Sequence, residues 1–90
     1  MTERPDYRDV ESSAYYVRMR EIIADELIVD IEKVLPERYF KDPPISAASL
    51  EFVELLMELE DRYDIEIPEG DVDYTVSVGD LMRYVMAKID

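Results

Sequence analysis

The sequence predicts a small all-α bundle, with three main helices, one short helical turn and a long loop between the first two main helices. Three observations point there. Apolar residues recur three and four apart in three separate stretches, the strand-like alternation of residues 64–68 is read as having no second strand to pair with, and serines and prolines stand where helices would start or stop.

Residues 1–13 are polar and contain Pro5, so they are expected to form a mobile arm, with Ser12 or Ser13 available to cap the first main helix. Residues 14–90 then form a single helical domain. Met19, Ile22, Ile23, Leu27 and Ile31 share one face of that first main helix, which starts at Tyr16 and runs to about Val29, and Glu32, Lys33, Val34 and Leu35 offer a further turn before Pro36. Pro43 and Pro44 make the next dozen residues an extended connection, which Tyr39, Phe40 and Ile45 are expected to pin to the core. The second main helix spans Ser49 to Tyr63, with Val53, Leu56, Leu59 and Tyr63 as its apolar stripe and Phe52 and Leu55 widening it. Residues 64–68 read as an extended linker and residues 70–74 as the short helical turn. Ser77 with Asp80 is a capping pair for the last helix, which carries Val78, Leu81, Met82, Val85 and Ile89 on one face and runs to about Lys88.

Composition narrows the function. The chain has 90 residues, 23 acids, 10 bases, no cysteine and no histidine, for a formal charge of -13. Without these two residue types there is no disulfide, no thiolate nucleophile and neither the usual general base nor the usual metal ligand, so no catalytic residue and no metal site are assigned. An acidic surface does not bind a phosphate backbone, which excludes nucleic acid as a partner and favours a basic protein surface. No apolar run is long enough to insert in a membrane, and the N-terminus lacks a signal-peptide core, so the chain reads as a cytoplasmic monomer. The charge is concentrated: residues 47–74 hold 10 acids and a single base, Arg62. Asp71, Asp73 and Thr75 imitate the first ligands of a calcium loop, but Val76 and Met82 stand where such a loop needs glycine and glutamate.

Ser49-Leu50-x-x-Val53-Glu54-Leu55, followed by Leu59-Glu60 and then Asp64-x-Glu66-Ile67-Pro68, resembles the acyl carrier protein family, and the similarity extends more loosely over residues 16–88. The resemblance implies an acyl-carrier-like bundle for residues 14–90. It also implies 4'-phosphopantetheine attached covalently to Ser49 as a phosphodiester, with acyl groups riding on its terminal thiol. No histidine is present to activate the serine, so a separate phosphopantetheinyl transferase must install the arm. By the same resemblance Glu51, Glu54, Glu60 and Asp61 dock against basic surfaces of acyl- or aminoacyl-loading and transfer enzymes of fatty-acid, lipid or related biosynthesis. Val53, Leu55, Leu56, Met57, Leu59, Ile67 and Leu81 would line an acyl cleft. Phe52, three residues after Ser49, would narrow its mouth. Ser46 competes as a hydroxyl but stands outside the motif register and reads as a cap. The family has an acid where this chain has Ala48, and that departure motivates a rival reading: an unmodified, carrier-like acidic scaffold for a basic partner. A weaker third reading is a mimic of nucleic acid built on the -13 charge.

Overall fold

A computed structural model describes residues 6–89. Its helices are α1 (Arg8–Glu11), α2 (Tyr16–Leu27), α3 (Ser49–Tyr63) and α4 (Val78–Ile89), with a single 3-10 turn at Ile31–Lys33. Among the described residues no strand forms, and no helix is long and apolar enough to cross a membrane. The all-α architecture is therefore as expected, but the short helix is not where the sequence placed it. Residues 70–74 form turns rather than a helix, because Asp73 closes an Asx turn: its carboxylate accepts from both the amide and the hydroxyl of Thr75 at 2.6 Å.

The short helix is α1, and it lies in what was expected to be a mobile arm. Residues 1–5 of that arm are outside the described residues. From Tyr7 onward the segment belongs to the core: Val10 is fully buried, and the Tyr7 ring packs over Gly79 at the start of α4. The Tyr7 hydroxyl reaches the Ser77 hydroxyl at 2.9 Å. Arg83 of α4 completes the clasp, donating to both carboxylate oxygens of Asp9 and to the Asp6 carbonyl while its guanidinium stands 5.1 Å from the Tyr7 ring centre.

α2 packs chiefly on α3 through its buried face of Met19, Ile22, Ile23 and Leu27. The helix ends at Leu27, earlier than expected, because Ile28 turns left-handed with φ 56° and the Val29 amide closes back on the Ala24 carbonyl at 3.0 Å. Ile28 is 89% exposed, so its side chain gains no burial in return for the strained backbone. Ile28→Gly is accordingly expected to stabilise the protein by about 0.5–1 kcal/mol, a rise of roughly 2–8 °C in a thermal melt, the greater chain entropy of the unfolded glycine form offsetting part of the relief. An unchanged or lowered melting temperature would show that the strain relieved at residue 28 does not exceed the entropy cost of glycine.

The long loop after α2 is packed down, as its apolar residues foretold, though by a different division of labour. Val34, Phe40 and Ile45 are buried, whereas Tyr39 is 47% exposed. Tyr39 contributes through its backbone instead, in an isolated antiparallel bridge to Ser77. The same loop satisfies the first amides of α4: Val78 donates to the Arg38 carbonyl and Gly79 to that of Pro36, each at 2.8 Å. The Ser77 hydroxyl accepts from the Asp80 amide at 3.1 Å, as the capping pair predicted, while the Asp80 carboxylate faces Arg83 at 3.4 Å rather than returning to Ser77.

Candidate functional site

Ser49 is the first residue of α3. Ala48 is the N-cap, with extended backbone, and lacks the side-chain oxygen that a cap would supply. Half of a capping box remains, since the Glu51 carboxylate turns back to accept from the Ala48 amide at 2.7 Å. The first i to i−4 bond of the helix is donated by Phe52 to the Ala48 carbonyl at 3.0 Å, so the amides of Ser49, Leu50 and Glu51 precede the helical ladder at the positive end of its dipole. Ser46, read from the sequence as a cap, is instead a left-handed turn residue with φ 49°, three positions upstream.

The exposed Ser49 side chain borders a surface cavity of about 490 Å³ between α3 and residues 67–74. Phe52, Val53, Leu56, Met57 and Glu60 form its helical wall, and Ile67, Pro68, Glu69, Gly70, Val72 and Tyr74 form the other. Two ties hold these walls together. One oxygen of Glu60 accepts from the Ile67 amide at 2.8 Å, and the Tyr74 hydroxyl donates to the Ala47 carbonyl. Of the residues expected to line a cleft, Val53, Leu56, Met57 and Ile67 are therefore on the cavity. Leu55, Leu59 and Leu81 are not; all three are fully buried in the bundle core. The reason is angular: on α3 the positions 52, 53, 56, 57 and 60 share a face, while 55 and 59 point about 100° away from 56 and 60, into the core.

The acids expected to dock partners divide in the same way. Glu54 and Asp61 are exposed. Glu51 is exposed but engaged at the helix start, and Glu60 is half-buried and holds the loop. Glu58 pairs with Arg62 at 2.6 Å. Beside the exposed acids lies a feature that charge counting missed: Leu50, Val53 and Met57 are 68%, 49% and 59% exposed at three- and four-residue spacing, an apolar stripe running down α3 from Ser49. The sequence signal for it was a stripe too wide for one core-facing face. Asp71 and Asp73, the would-be calcium ligands, are bonded internally, Asp71 accepting from the Tyr84 hydroxyl at 2.8 Å and Asp73 from Thr75. Among the described residues no three acids converge as metal ligands.

Residues 17–85 match the family described as phosphopantetheine attachment site. The acyl carrier protein of Clostridium acetobutylicum is 39% identical over 72 residues, covering 80% of this chain and 92% of that one. The acyl carrier protein of an Exiguobacterium species is 37% identical over 73 residues, covering 81% and 91%. The chain belongs to the acyl carrier protein family. The prosthetic group of an acyl carrier protein is covalent 4'-phosphopantetheine, and the start of α3 fits it. An exposed hydroxyl, three amides ahead of the helical ladder and an adjoining apolar cavity are what a serine-linked phosphodiester with an acylated arm requires.

Proposed function

We propose that Ser49 bears the phosphopantetheine arm and that the protein serves as a non-catalytic shuttle, presenting acyl groups to separate biosynthetic enzymes. The observation that carries this reading is the exposed Ser49 hydroxyl at the first position of α3, opening onto the cavity. When attached, the arm supplies a thiol on which acyl groups ride as thioesters. The chain's own residues do the rest. The leading amides of α3 favour the phosphodiester charge, and the apolar wall of Val53, Leu56 and Ile67 shelters the acyl group from water. Glu54 and Asp61, with the Leu50, Val53 and Met57 stripe between them and Ser49, offer a docking face of apolar centre and acidic rim. Such a face suits transferases and acyl- or aminoacyl-handling enzymes with basic surfaces, whose encounter it speeds without tight binding. The cytoplasm is the setting this reading takes.

Incubation with coenzyme A and a phosphopantetheinyl transferase, followed by intact mass and peptide mapping, tests the proposal. One added arm on Ser49 is the expected result. A folded protein that accepts no arm from any transferase tried would leave the acidic scaffold as the better account.

A further inference from the structure

Phe52 is both a core residue and a cavity residue. It is 2% exposed, and its ring is held between Phe40, with centres 5.1 Å apart, and Tyr74, with centres 5.9 Å apart, each tilted by 58°. The backbone at Ala47, two residues before Ser49, knits this series together. Its amide donates to the Phe40 carbonyl at 2.8 Å and its carbonyl accepts from the Tyr74 hydroxyl. On the core side of Phe52 lie the fully buried Leu55, Leu59 and Leu81; on its other side is the cavity that Ser49 borders.

Resting on the reading of Ser49 as the attachment point, we propose that Phe52 and Tyr74 are specificity-determining residues that wall off the helical core and confine a sheltered acyl chain to the surface cavity. An acyl chain too long for the cavity cannot pass between the helices without dislodging Phe52 from two ring contacts and parting Tyr74 from Ala47. Interiors packed at crystal-like density do not yield such space to one methylene at a time. The cavity itself cannot widen freely, because Glu60 ties Ile67 at one end of the loop while Tyr74 is tied at the other. The acyl chain lies along Val53, Leu56 and Val72, and whatever exceeds the cavity stays in solvent rather than entering the core.

The test loads the full chain with butyryl or dodecanoyl arms from the corresponding acyl-coenzyme A and a transferase, with intact mass confirming each form. Melting temperature and backbone amide shifts are then read. In the wild type the amides of Leu55, Leu59 and Leu81 are expected to stay unmoved by chain length, any added stability of the dodecanoyl form coming from the surface cavity alone. In Phe52→Ala and Tyr74→Ala the dodecanoyl form is expected to melt well above the butyryl form and to shift those amides. Tyr74 is only half-buried, so its variant and the wild type decide the question if Phe52→Ala does not fold. A wild-type dodecanoyl form that perturbs the core leucines would overturn the proposal. Failure of any arm to attach, seen by mass alone, would overturn the reading of Ser49 and the wall's role with it.

Discussion

Ser49→Ala is expected to abolish attachment of the arm altogether, whereas Ser46→Ala should leave its rate within about twofold of wild type, since only Ser49 holds the motif register at the helix start. The two hydroxyls are three residues apart and both exposed, so accessibility alone does not separate them. Backbone geometry does. Ser49 stands at the head of α3 with unladdered amides about it, while Ser46 occupies a left-handed turn whose own amide is bonded to the Asp42 carbonyl at 2.9 Å. Intact mass of each variant after exposure to coenzyme A and a transferase reads the result. An arm on Ser49→Ala would place the attachment elsewhere, and peptide mapping would say where. Ala48 bears on the rate rather than the position. Without an acid at the N-cap the helix start forgoes roughly 0.3–1 kcal/mol of favourable charge–dipole interaction and offers a transferase no carboxylate there. Ala48→Asp should therefore speed the reaction on Ser49.

The three main helices were legible because each buries one stripe, and a stripe at three- and four-residue spacing survives in sequence whatever it packs against. α3 starts and ends at the residues expected, Ser49 and Tyr63, and α4 begins just after its capping serine. What escaped were features fixed by contacts distant in sequence. α1 has only Val10, with Tyr7 just before it, to bury, too few for a periodic signal, and the segment is held by residues 70 or more positions away. The end of α2 falls at a left-handed isoleucine, a residue type the rules for helix termini would not choose. In the site, neighbouring apolar positions on α3 part company, Leu55 to the core and Leu56 to the cavity. Periodicity names the stripe without saying which edge faces which neighbour. Tyr74 as a cavity wall, and Glu60 as a loop tie rather than a free docking acid, are tertiary facts with no local signature.

Val10→Asp should cost about 3 kcal/mol, lowering the melting temperature by roughly 12–24 °C, because a fully buried valine would become a carboxylate taken out of water. The segment escapes that penalty only by undocking, which surrenders the burial of Tyr7 and Val10 and the Tyr7 to Ser77 hydrogen bond instead. Gly79→Ala attacks the same contact from the other side, since a Cβ at residue 79 would overlap the Tyr7 ring in a helix whose backbone cannot shift without disturbing its bonds to Arg38 and Pro36. Both substitutions release one element, so the double variant is expected to be little worse than the more damaging single one, whereas two independent defects would add. Acid should loosen the clasp as well. The Arg83 guanidinium, by hydrogen bonding and then by charge, holds Asp9 below the ordinary carboxylate range. A depressed folded pKa means that this pair's contribution is present above the ordinary aspartate value of 3.8 and fades as pH falls through the lowered folded value. Thermal melts of the two singles and the double at neutral pH supply the comparison. Additive losses, or a Val10→Asp protein as stable as the wild type, would mean that α1 lies on α4 without belonging to the cooperative fold.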